Sequence, residues 1–91
     1  MINREQQTLI ITMEECAEVA QMCSKILRFR HMDSELQHQE KTILLSEEVG
    51  DLLLMVDLLA REGLIDLDIA MSHRDVKRQK LSTYSNLFDG D

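Results

Sequence analysis

Glu48 and Asp51 stand inside a run that otherwise reads as the packed side of a helix: Ser46-Glu47-Glu48-Val49-Gly50-Asp51-Leu52-Leu53-Leu54-Met55-Val56-Asp57. At 100° per residue the two acids fall about 60° apart, on one face. Leu44, Leu52 and Met55 share that face. A carboxylate among packed side chains is costly unless a basic partner, a raised pKa or a bound cation compensates it. No Lys or Arg lies between Lys41 and Arg61, so this helix offers no basic partner within a turn of the pair. Compensation must come from another element or from a metal. The alternative is an acidic rim that only flanks the core.

The rest of the chain suits long helices. It has no Pro and only three Gly, which argues against a turn-rich β fold. Its 91 residues make one domain, 1–91, near the lower limit for burying an adequate core alone. Only Phe29, Tyr84 and Phe88 are aromatic, so Leu, Ile and Met must do the packing. The fold class expected is all-α: a small antiparallel helical bundle completed by oligomerisation.

A first helix is predicted over 4–28. Asn3 with Gln6 offers a capping box, and Thr12 with Glu15 a competing one. Within it Glu15 and Glu18 lie on an apolar face with Ile11, Val19 and Met22, and Glu14 is at its edge. A second helix opens at Ser34 with Gln37, a further capping box, and runs to about Glu62. Its first turns, 35–41, are polar and are expected to protrude or line an opening. Gly63 before Leu64 and Ile65 fits a C-cap. A third helix begins at Asp66 or Asp68 and runs to about Tyr84. It carries the one basic cluster: Arg74, Lys77, Arg78 and Lys80. The tail, 85–91, is expected to fray.

Two successive helices thus each present a pair of acids at i and i+3 on an apolar face: Glu15 with Glu18, and Glu48 with Asp51. If the helices pack antiparallel, four carboxylates converge, and without a cation they would repel severely. An all-oxygen ligand set favours Mg²⁺ or Mn²⁺ over Zn²⁺.

Other features exclude more than they assign. A net charge of −7 repels a phosphate backbone, so binding to duplex nucleic acid is not expected. A divalent cation can still bring a polyphosphate to an acidic chain. The polar start, Met1 to Gln6, is unlike a signal peptide, and the longest apolar run, Leu52 to Val56, is too short to span a bilayer. A soluble, cytoplasmic protein with no membrane partner is expected. Cys16 and Cys23 would be about 10 Å apart along one helix, too far to bridge, and read as small core residues. Glu35-Leu36-Gln37-His38 matches one E-x-x-H di-iron motif, but a di-iron bundle needs two on core-facing helices. His31 and His73 have no ligand spacing. The methionines (Met13, Met22, Met32, Met55, Met71) read as gap-filling core.

Glu14-Glu15-Cys16-Ala17-Glu18 resembles the EExxE motif of the MazG-like, all-α nucleoside triphosphate pyrophosphohydrolases. Glu48-Val49-Gly50-Asp51 resembles their ExxD motif, including the Gly before the Asp and the apolar run after it. Val76 to Leu81, with Tyr84 beyond, is similar to the basic segment on the family's later helix. The resemblance covers nearly the whole chain in the right order.

The resemblance implies hydrolysis of an NTP or dNTP to the monophosphate and pyrophosphate. Glu15, Glu18, Glu48 and Asp51 would hold Mg²⁺, with Mn²⁺ a possible substitute. Glu14 would orient or activate the attacking water, directly or through another group. Lys77 and Lys80 would contact the phosphates, in one chain or across a subunit interface. Assembly would be a homodimer or homotetramer. The 29 residues between Glu18 and Glu48 are at the long end for the family, and the segment 31–39 would supply the excess and shape the nucleobase pocket. An alternative of another class is a non-catalytic helical oligomer for nucleotide sensing or partner binding. It would have little reason to keep carboxylates in an apolar face.

Overall fold

The computed structural model describes residues 1–90. It contains α1 (Arg4–Phe29), α2 (Glu35–Arg61) and α3 (Leu67–Tyr84), with no strand among the described residues, so the chain is all-α as expected.

Each helix starts where a short polar side chain satisfies its free N–H groups. The Asn3 side chain accepts from the Gln6 backbone at 2.7 Å, and the Gln6 side chain accepts from the Asn3 N–H at 3.0 Å. Ser34 and Gln37 make the same reciprocal pair. The third helix is capped by Asp66, not Asp68. Thr12 caps nothing: its hydroxyl donates back to the Thr8 carbonyl at 2.7 Å within an unbroken α1. At the end of α2, Gly63 takes a left-handed φ of 72°. Its N–H donates to Ala60 and that of Leu64 to Leu59, a Schellman termination.

The first two helices form an antiparallel hairpin, since their contacts run in reverse order. Arg4 lies 3.9 Å from Glu62 at the open end, Glu15 faces Asp51 in the middle, and Lys41 lies 5.1 Å from the Phe29 ring centroid near the connection. Lys41 also pairs with Asp33, and both side chains are largely shielded. His38 places Nε2 2.9 Å from the Arg30 carbonyl and Nδ1 3.9 Å from Glu35. The Glu35-x-x-His38 motif therefore secures the connection. The start of α2 is tied to the end of α1 through these contacts.

The hairpin is thin. Among the described residues only Thr8, Met22 and Met55 are buried. Leu52 is half-buried, but Leu44 on the same expected face is exposed. Cys16 and Cys23, expected in the core, are free and exposed. Of the methionines read as core, Met22 and Met55 are buried while Met13, Met32 and Met71 are exposed. One cause accounts for these differences: two helices can bury only the line along which they touch, and α3 packs on neither to any substantial extent. The radius of gyration is 16.4 Å, against about 12 Å for a compact chain of this length. The accessible surface is 7308 Å², against about 5,500 Å² for a compact domain of this mass. Beyond α3, Arg78 stacks 4.3 Å from the Phe88 ring centroid, and Asp89 donates its N–H to Asn86. The tail expected to fray, 85–91, ends in Asp91, which lies outside the described residues.

Candidate metal centre

Midway along the hairpin, the apolar line between α1 and α2 is interrupted by acids from both helices. Glu15 comes from α1, and Glu48 and Asp51 from α2. One carboxylate oxygen from each lies within 4.8 Å of the other two. Glu15 and Glu48 are half-buried and Asp51 is exposed. Glu18, the fourth expected ligand, is exposed and is not among the three, but its carboxyl borders Glu48.

The electrostatics are unfavourable as they stand. Oε2 of Glu15 and Oε2 of Glu48 are both shut off from solvent and have no hydrogen-bond partner. Burial first, then the charges of Asp51, Glu18 and Glu14, push the Glu15 carboxyl above its ordinary value of 4.5. Glu48 is pushed up first by the Glu18 carboxyl, with which a protonated Glu48 shares a hydrogen bond, then by burial and by the charges of Glu18, Asp51 and Glu15. While both are ionised neither can donate, which leaves the Glu48 oxygen unpartnered. Among the described residues, no ion pair reaches any of these acids: Lys41 goes to Asp33, and Arg4 and Arg61 to Glu62. Convergent, partnerless oxygens on a rigid helix pair are what a hard divalent cation requires. The residues present therefore fit an Mg²⁺ or Mn²⁺ ion, with Glu15, Glu48 and Asp51 as the converging set and Glu18 beside it.

The remaining expected residues lie farther out. Glu14 is exposed, and its charge is felt at Glu15. Lys77 and Lys80 are exposed on α3, which packs against the hairpin to no substantial extent in the single chain. Lys77 lines a groove with Arg74, Arg78, Leu81 and Phe88; Lys80 is outside it. The place of Phe88 beside Arg78 had no signal in the sequence, because nothing periodic links the tail to α3.

The MazG nucleotide pyrophosphohydrolase domain family matches residues 3–80, and the chain belongs to that family. The match spans both acid pairs and most of α3. No curated protein and no solved structure matches the chain. At the level of the family, this is a nucleotide pyrophosphohydrolase domain, and its substrate is a nucleotide. No helix among the described residues is long and apolar enough to cross a membrane.

Proposed function

We propose that this protein is a Mg²⁺-dependent nucleoside triphosphate pyrophosphohydrolase of the cytoplasm, acting as a homodimer or homotetramer. One observation carries the reading: two buried carboxylate oxygens, on Glu15 and Glu48, converge with Asp51 and have no partner. Side chains held in that state without a ligand cost stability. A cation that joins the acids to a triphosphate gives them a role.

Glu15, Glu48 and Asp51 would hold the ion, with Glu18 completing the set from the rim. A bound divalent ion supplies charge neutralisation of the triphosphate and a more acidic water. The chain's own part is positional. Two packed helices fix the carboxylates, so the α–β anhydride is presented in one orientation. The water oxygen bonds to phosphorus, the bridging P–O bond breaks, and pyrophosphate leaves. The water's proton passes to a carboxylate, and Glu14, next to the cluster and open to solvent, is the acceptor assigned here. Lys77 and Lys80 would meet the phosphates from α3 of the same or a neighbouring copy. The segment 31–39 would border the base.

The test is pyrophosphate release from a panel of NTPs and dNTPs with Mg²⁺, Mn²⁺ or EDTA, beside Glu48→Gln. Metal-dependent release that falls by about 10²-fold or more in the variant is expected. Folded protein that turns over nothing in the panel would sink the general pyrophosphohydrolase reading and favour the non-catalytic oligomer.

A further inference from the structure

The tail beyond α3 has a local fold that the proposed activity leaves without a role. Ser85 ends the helix in extended backbone. Its N–H donates to the Leu81 carbonyl at 2.8 Å, and its hydroxyl donates to the same oxygen at 2.6 Å. That hydroxyl also accepts from the Leu87 N–H at 3.3 Å, and the Asp89 N–H donates to the Asn86 carbonyl at 3.2 Å. These local bonds turn the chain back toward α3. Leu87 stays 67% exposed, while Phe88 is half-buried with its ring centroid 4.3 Å from the Arg78 guanidinium carbon. The family match ends at residue 80, so the turn and Phe88 lie outside the matched residues.

Phe88 helps to wall a groove of about 550 Å³, which Arg74, Lys77 and Arg78 also line, together with Asp75 and Leu81. Lys77 and Arg78 follow Arg74 by three and four residues, so the three cations share one side of α3. Like charges at that spacing destabilise a helix, and Asp75 offsets only one of them. Among the described residues, no ion pair reaches any of the three. The hydrogen bonds that Arg and Lys side chains give there come from Arg28, Lys41 and Arg61. Three free cations thus gather in one groove of a chain whose net charge is −7.

An aromatic ring takes up only the face of a guanidinium. The N–H donors lie in the guanidinium plane and stay open to a partner. Stacking also removes rotamers that an exposed Arg samples, so an incoming anion finds the fork already set. A planar fork beside an ammonium group suits a phosphate, which accepts two parallel bonds from the fork and a third from the Lys. We infer that Phe88 is a positioning residue: it holds the Arg78 guanidinium so that Arg78 and Lys77 together bind a phosphate group, without the metal centre. The inference takes its ligand class from the pyrophosphohydrolase reading, and it adds Arg78 and Phe88 to the residues that reading uses.

The test titrates inorganic pyrophosphate into the full chain in EDTA, so it needs neither cation nor turnover. Binding is followed by NMR at the arginine Nε–H signals. Pyrophosphate is expected to move the Arg78 signal, and Phe88→Ala to weaken binding about 5-fold. Phe88→Leu keeps an apolar side chain without the ring and should lose as much. Phe88→Tyr keeps the ring and should retain the parental affinity, as should Leu87→Ala. Arg78→Ala should weaken binding about 10-fold. Adding Phe88→Ala to it should cost nothing more, because Phe88 acts through Arg78. With a nucleotide that is turned over, the Phe88→Ala loss should fall on KM and not on kcat. An Arg78 signal that pyrophosphate leaves unmoved, full affinity in Phe88→Leu, or a Phe88→Ala loss that persists in full beside Arg78→Ala would overturn the inference. Pyrophosphate bound through Arg78 without turnover of any nucleotide would count against the hydrolase reading alone. Turnover with an unchanged KM in Phe88→Ala would count against this inference alone.

Discussion

At Glu48 one carboxylate oxygen is enclosed without a partner, and the Glu18, Asp51 and Glu15 carboxyls all act to keep a proton on it. Glu15 is raised in the same direction. Between 4.5 and these raised values the folded chain holds protons that the unfolded chain has released, so stability falls as pH rises through that window. The metal-free protein is therefore predicted to lose melting temperature as pH climbs above 4.5 in EDTA. Glu48→Gln should flatten that slope and melt higher than the parent near neutrality. Adding Mg²⁺ should raise the melting temperature of the parent and not that of the variant. A parent whose metal-free stability increases steadily over that range would count against the crowding of charge described here. The two acid pairs and their placement on apolar faces were legible in the sequence, because helical periodicity alone sets them. Which carboxylates turn inward was not. Glu18 lies 60° from Glu15 round the helix, and only the separation and rotation of the packed pair decide that Glu15 enters the gap while Glu18 stays on its rim.

Among the elements, helix starts were the most legible, because a capping box is a local device with a local signature. Two glycines separate the uses of that residue. Gly63 holds a φ of 72° at the end of α2, where a side chain is strained whatever the space around it. Gly63→Ala is predicted to cost about 1 kcal/mol in urea unfolding. Gly50 lies inside α2 with nothing within 4 Å of an added Cβ. Gly50→Ala is predicted to stabilise by about 1 kcal/mol. Retained or increased stability together with lost pyrophosphate release would place the substrate over Gly50, next to Asp51; unchanged release would leave the residue no part in binding. Helix α3 was the least legible in its packing. Its apolar pattern is weak, and it is exposed from Leu67 to Lys80, so the sequence carries no face by which to orient it.

For the whole molecule, the surface is large for its mass. A chain with three buried residues among those described and an accessible area of 7308 Å² has little core to hold it together. The misplacement of Cys16, Cys23 and Met13 has the same origin. Periodicity reports that a residue belongs to an apolar face, not whether that face is covered by the same chain. Assembly would supply the missing burial, and the melting temperature should then rise with protein concentration over a roughly hundredfold range. A melting temperature independent of concentration, for protein shown to be monomeric, would rule out assembly. The proposed divalent-cation site is built from acids of α1 and α2 together. Its most direct test is a titration of Mn²⁺ into the folded protein, followed by the electron paramagnetic resonance signal of the free ion, with Glu48→Gln beside the parent. The parent is expected to deplete the free-ion signal and the variant to do so far less. A full free-ion signal over folded parent protein, or equal depletion by both, would contradict it.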